Sequence, residues 1–219
     1  MRNPFEPRFE DLPKAIPIFP LTGVLLLPRG RLPLNIFEPR YLNMTVDALQ
    51  ADRLIGMVQP MDAQAGGNNL PVYPTGCAGR ITEFSETDDG RYLITLTGLC
   101  RFETVKELPL RNGYRRVIPR WDRYEGDLGE APDTGIDRAR LFDRLRIYLE
   151  AQGIDADWEA IEQTPDERLV TSLAMSCPFE PGEKQALLEC RTLSERGDTM
   201  IALMEMALVE GEDTDGVRH

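Results

Sequence analysis

Histidine is nearly missing from this chain: the single one, His219, is the last residue, which leaves the folded body no imidazole base and no imidazole metal ligand. Cysteine is sparse as well. Cys77, Cys100, Cys177 and Cys190 contain no C-x-x-C pair, and no histidine completes a zinc set, so they read as buried small hydrophobes and no metal or cofactor is expected. Long apolar runs are absent. The most apolar stretch, Val24 to Phe37, is interrupted by Arg29 and Arg31, and the opening MRNPFEPRFEDLP carries acids and prolines where a signal peptide needs an apolar core. A cytoplasmic protein without a membrane partner is the resulting expectation.

What is present is enough for a sizeable core: 219 residues, 42% hydrophobic and 28% charged, a composition that excludes disorder and a collagen-like repeat. The net charge of −12 weighs against phosphate backbones and anionic membranes. That charge is unevenly spread, with 16 basic and 15 acidic side chains in residues 1–125 against 9 and 22 in 126–219. Hydrophobic periodicity changes at the same place. The chain therefore reads as a β-rich part over 1–125, a Gly- and Pro-bearing linker over 126–135, and a helical part over 136–219 ending in an acidic tail, Glu210 to Asp215.

In the first part, strands are predicted at Ile16–Phe19, Val24–Leu27, Leu32–Ile36, Leu54–Val58, Cys77–Ser85, Arg91–Leu99 and Arg101–Glu107. Asp89-Gly90 supplies hairpin chemistry between two of them. One helix, Glu38 to Leu49, interrupts the strands, and Gly66 to Asn69 reads as a loop. In the second part, helices are predicted at Ile136–Gln152, around Asp157–Ile161, at Pro165–Met175 and at Pro181–Val209, the last with a break near Arg196-Gly197. Thr164 is placed to cap the third, with Glu167 bonding back. Mixed strand spacing with one helix points to a small antiparallel barrel rather than a βαβ sheet.

Several segments together carry a family likeness: IPIFPLTGVLLLPRGRLPLNIFEPRY (16–41), RLIGMVQP (53–60), GCAGRITEF (76–84), DGRYLITLTGLCRF (89–102) and EKQALLE (183–189). In this order, over nearly the whole chain, they resemble the Lon N-terminal, or Lon substrate-binding, domain family. The resemblance implies an α+β fold: an N-terminal PUA-like antiparallel β-barrel with one helix, followed by a C-terminal α-helical bundle. It also implies a non-enzymatic, stand-alone polypeptide-binding domain that recognises unfolded or tagged segments and, as an adaptor in protein quality control, hands them to a separate ATP-dependent protease. The chemistry of full Lon proteases has no counterpart in these residues. No G-x-x-x-x-G-K-[ST] occurs to cradle phosphates. A Ser-Lys dyad would have to draw on Lys14, Lys106 or Lys184, the last in the charged run Glu183-Lys184-Gln185.

Candidate site residues compete with structural readings. Phe37, Glu38, Arg40 and Tyr41 form a candidate peptide-contact surface, the aromatics offering apolar area and the charges offering hydrogen bonds. The competing reading makes the block a strand-to-helix junction, with Pro39 in the first turn and Tyr41 as anchor. Arg111, Arg115, Arg116, Arg120 and Arg123, interleaved with Tyr114, Trp121 and Tyr124, suggest a PUA-like RNA-binding module as the alternative function. Otherwise these arginines pair with the helical part. A small enzyme would have to converge carboxylates such as Glu38, Glu83 or Glu103 on one cavity beside Arg80 or Arg101. A purely scaffolding or dimerising protein is a further class, and the oligomeric state is left open. Asp155, Asp157 and Glu159 lack the spacing of a calcium loop, and Met175, Met200, Met204 and Met206 read as core more readily than as a groove.

Overall fold

Alternating apolar residues and a few sharp turns set the elements of the computed structural model, which describes residues 8–62, 70–129 and 135–215. In chain order these are β1 (Ile16–Pro20), β2 (Arg31–Ile36), α1 (Pro39–Leu49), β3 (Leu54–Val58), β4 (Thr75–Glu86), β5 (Tyr92–Arg111), β6 (Tyr114–Arg120), a 3-10 helix (Asp122–Leu128), α2 (Arg138–Ala151), α3 (Trp158–Gln163), α4 (Asp166–Ser176), α5 (Pro181–Glu189) and α6 (Leu193–Asp215). The fold is α+β. It divides into two compact units, Met1–Ala131 and Pro132–His219. The loop expected at Gly66 to Asn69 and residues 130–134 of the expected linker lie outside the described residues. Gly126, Asp127 and Leu128, read from sequence as the start of that linker, instead complete the 3-10 helix of the first unit.

The strands form one sheet in the order β2-β5-β4-β3-β1-β6, and β5 pairs β6 as well, so the pairings from β5 through β4, β3, β1 and β6 return to β5. The sheet is mixed rather than purely antiparallel, because β1 and β3 run parallel, with β2 and α1 in the connection between them. Two further expectations are corrected. The strands foreseen on either side of Cys100 are one continuous strand of 20 residues. Val24–Leu27 is not a strand: Leu25, Leu26 and Leu27 are buried without ladder pairing. Their place is made by Gly79 and Gly98, which face each other across β4 and β5. A Cβ on Gly98 would lie 1.9 Å from the Leu27 carbonyl oxygen, so only glycine lets the segment lie this close.

The first unit's core gathers Ile16, Ile18, Leu54, Val58, Ala78, Cys100, Phe102, Val117, Trp121 and Tyr124. Phe102 packs edge-on to Trp121 with ring centroids 5.7 Å apart, and the Trp121 indole N–H donates to the Pro13 carbonyl at 3.1 Å. In the second unit Leu141, Leu145, Leu169, Val170, Leu187, Leu188, Met200, Ile201 and Met204 are buried, whereas Met206 is exposed. The helix break falls at Cys190–Thr192, ahead of Arg196-Gly197, and α6 continues through the acidic run to Asp215. Thr164 donates its hydroxyl back to the Ala160 carbonyl at 2.7 Å, closing α3 rather than capping α4. All four cysteines are free and buried. No helix among the described residues is long and apolar enough to cross a membrane.

Candidate functional site

The block from Asn35 to Tyr41 turns β2 into α1, and its side chains divide between the core and the surface. Ile36 is buried and the next residue, Phe37, is 63% exposed. Glu38 precedes the helix and Pro39 opens it, where a missing N–H costs nothing. Arg40 Nε donates to Glu38 Oε2 at 2.9 Å, and its guanidinium lies 4.5 Å from the centre of the Tyr41 ring. Tyr41 is 7% exposed, with its ring 4.2 Å from that of Phe19, and burial raises its phenol above the usual value. Of the four residues singled out in sequence, Phe37 presents apolar surface, Glu38 and Arg40 engage each other, and Tyr41 anchors α1.

The same helix holds the β5–β6 hairpin. Asp47 accepts from the Tyr114 hydroxyl at 2.7 Å and from Asn112 Nδ2 at 3.0 Å, and pairs with Arg111 at 3.2 Å. Asn43 Nδ2 donates to the Asn112 carbonyl at 3.2 Å. The hairpin tip therefore docks on α1 through polar contacts that connect residues more than sixty positions apart.

The basic aromatic cluster is strand β6 and the residues flanking it; Arg111, Arg115, Arg120 and Arg123 meet acids within their own unit, and Arg116 donates to the Pro109 carbonyl at 3.4 Å. Arg115 makes a bidentate pair with Glu107 at 2.7 and 2.8 Å. Arg120 and Arg123 both engage Glu103, and Arg111 takes Asp47. Glu103 and Glu107 are held below the usual glutamate value by these donors. This corrects both earlier readings. The arginines are partnered within the β-rich unit, and the face they occupy mixes signs where backbone phosphates would need a continuous basic surface. The RNA-binding alternative is set aside.

The carboxylates considered for catalysis are likewise apportioned to different partners. Glu38 takes Arg40, Glu83 takes Arg31 and accepts from the Thr95 hydroxyl at 2.6 Å, and Glu103 takes Arg120 and Arg123. Arg101 is committed to Asp127, a buried pair at 2.8 Å with side chains 6% and 10% exposed. Arg80 lines a small hollow of about 250 Å³ with Asp11, Asp52 and Arg53. Asp157 caps α3 by accepting from the Ala160 N–H at 3.1 Å, and no cluster of potential metal ligands occurs among the described residues.

A shallow depression of about 560 Å³ lies on the sheet where β2, β5 and β4 run side by side. Pro33 pairs with Thr95 and Asn35 with Leu93 across β2 and β5, and Glu83 with Thr95 and Ser85 with Leu93 across β4 and β5. Strand alternation places these six side chains on one face. Ile94, on the other face, is buried, whereas Leu93 is 44% exposed. Sequence reading passed over this surface because Leu93 is one leucine in a run that alternates as a core strand should; its exposure follows from the end of β5 extending past the buried part of the sheet.

The family model for the ATP-dependent protease La (LON) substrate-binding domain matches residues 15–206. The chain belongs to the Lon substrate-binding domain family. Among its relatives, Lon protease 2 of Myxococcus xanthus is 29% identical over 89% of this chain and 24% of that protein. A Lon protease of Parabacteroides distasonis is 31% identical over 94% of this chain and 26% of its own length. The Lon substrate-binding chain described here thus spans about a quarter of these relatives. Two solved structures share the Lon N-terminal fold. The Lon N-terminal domain protein of Xanthomonas campestris has a TM-score of 0.60 at 21% identity, over 86% of this chain and 97% of that one. The N-terminal domain of a Mycobacterium avium complex Lon protease has a TM-score of 0.62 at 16% identity, over 88% and 98%.

Proposed function

We propose that this Lon substrate-binding domain recognises unfolded or tagged polypeptide segments and, as a non-enzymatic adaptor in the cytoplasm, presents them to an ATP-dependent protease. The observation that carries the reading is the family match, which runs through both units. Support from the molecule itself comes from exposed apolar groups, Phe37 and Leu93, near the start and the face of a sheet whose charged neighbours are already partnered. We read the sheet as a PUA-like barrel, supported by the pairing of β5 with both β4 and β6. The contact residues in this reading are Phe37, Glu38, Arg40 and Tyr41, with Phe37 as the contacting group and the other three holding it in place. The four buried free thiols favour a reducing compartment.

Fluorescence anisotropy of a labelled, permanently unfolded polypeptide tests this reading. Saturable binding that persists at high salt is expected, weakened several-fold by Phe37→Ser while the thermal midpoint stays unchanged, since Phe37 is exposed. Absence of saturable binding at either salt concentration overturns it.

A further inference from the structure

Resting on the polypeptide-recognition reading, we infer that the outer edge of β2 takes an extended segment of a client chain as an added strand, with client side chains entering the depression over Leu93. β2 pairs with β5 along one edge, and no strand pairs with its other edge among the described residues. The Gly98 N–H donates to the Gly30 carbonyl at 2.8 Å, which sets the phase of the ladder. Residues 32, 34 and 36 then turn their main-chain groups toward β5, and Arg31, Pro33 and Asn35 turn theirs outward. Pro33, which has no N–H, falls in the outward set, where it breaks no rung within the protein. The outward edge therefore offers the N–H and carbonyl of Arg31 and of Asn35, and the carbonyl of Pro33.

This pattern selects its occupant. All three outward residues are exposed and have their side chains on the face of Leu93, Thr95, Ser85 and Glu83. A strand laid along β2 would extend the cross-strand rows Asn35–Leu93–Ser85 and Pro33–Thr95–Glu83 by one residue each. Its alternate side chains would lie beside the depression that Leu93 helps to line. A second copy of β2 fits less well. In the antiparallel register of fullest overlap the two Pro33 residues would oppose each other, and neither could donate to the other's carbonyl. A client with any other residue at that position donates its N–H to the Pro33 carbonyl. The edge thus suits a foreign, proline-poor segment with apolar residues at alternate positions.

The probe is a short fluorescein-labelled peptide of alternating valine and threonine with a lysine at each end, compared with two analogues N-methylated at the valines or at the threonines. Strand addition predicts that the parent binds, that one analogue loses about tenfold or more in affinity, and that the other is unaffected, because alternate N–H groups face opposite sides. Asn35→Pro, which removes an outward donor, should weaken the parent by about tenfold and by clearly more than Asn35→Ala, which keeps the main-chain donor; circular dichroism checks that both variants fold. Equal binding of all three peptides overturns strand addition and leaves polypeptide recognition standing. So does binding of the unfolded polypeptide without binding of the parent peptide. Failure of both ligands overturns the recognition reading itself. A dimer in sedimentation that Asn35→Pro dissolves assigns the edge to a second copy and also overturns the inference.

Discussion

In the β-rich unit a guanidinium and a carboxylate are turned inward: Arg101 and Asp127 pair while buried, Arg101 also covers the Tyr124 ring at 4.5 Å, and Cys100 Sγ donates to the Tyr124 carbonyl at 3.4 Å. The helical unit has a different interior. Leu145, Val170, Met200 and Met204 fill it around a buried Arg196, whose Nε donates to the Leu187 backbone carbonyl at 2.8 Å rather than to a carboxylate, and its ion pairs Arg140 with Glu205 and Arg146 with Glu162 lie partly or largely in solvent. The difference follows from where each kind of element satisfies its backbone. A helix completes its own hydrogen bonds and needs an apolar stripe to pack. In the sheet, the 3-10 helix after β6 instead lays the Asp127 carboxylate against the main chain and guanidinium of Arg101, midway along β5. Close packing is distributed in the same way. Gly98 has a carbonyl 1.9 Å from the place of its missing Cβ, whereas the helical Gly197 has nothing nearer than an Ile136 methyl at 3.5 Å.

Four substitutions sharpen this contrast. The chain has two tryptophans, Trp121 in the first unit and Trp158 in the second, so Trp158→Phe and Trp121→Phe backgrounds report on each unit separately in urea titrations. Gly98→Ala should have the largest effect, costing beyond about 5 kcal/mol and leaving the Trp121 signal without a folded baseline, because the obstacle is backbone. Asp127→Ala should cost the first unit about 3–5 kcal/mol by leaving the Arg101 charge buried and unpaired, with the Trp158 transition unchanged. A loss below about 1 kcal/mol would mean that the pair contributes nothing to that unit's stability. Gly197→Ala should instead stabilise the helical unit by about 1 kcal/mol and raise its urea midpoint, since the site has room and the helix gains propensity. Destabilisation would show that α6 needs the glycine.

The smallest effect concerns pH. Glu107 is depressed by the hydrogen bonds and charge of Arg115, so its contribution is fully present above the ordinary glutamate value of 4.5 and is lost as pH falls through its lower folded value. Glu103 behaves alike beside Arg120 and Arg123. Glu107→Gln should therefore flatten the decline of the Trp121 midpoint below pH 4.5 and leave the Trp158 midpoint untouched. An unaltered acid slope would remove this pair from the account.

Elements written in local periodicity were legible. The limits of β3 were read as observed, and those of β1, α1, α3 and α4 came within one or two residues, because a half-buried strand or an amphipathic helix carries its period in a few consecutive residues. The division near residue 130 was visible in charge and period. β6 was missed because Arg115, Arg116 and Arg120 gave it the look of a binding surface, though Arg115 is buried with Tyr114, Val117 and Pro119. Val24–Leu27 was misread for the opposite reason. Three leucines in a row satisfy a strand pattern, yet they fill the space above a glycine pair whose two members are far away in sequence.

At the candidate site, the sequence by itself located the β2–α1 junction and carried the resemblance to the Lon substrate-binding family, since both are written in runs of neighbouring residues. The tertiary structure alone decided that Tyr41 is buried on Phe19, that the arginines of β6 face acids of their own unit, and that β2 ends the sheet with Leu93 open beside it. Those outcomes depend on strand order and register, which bring together residues dozens of positions apart, and no local pattern of side chains records which edge of a sheet is left without a neighbour.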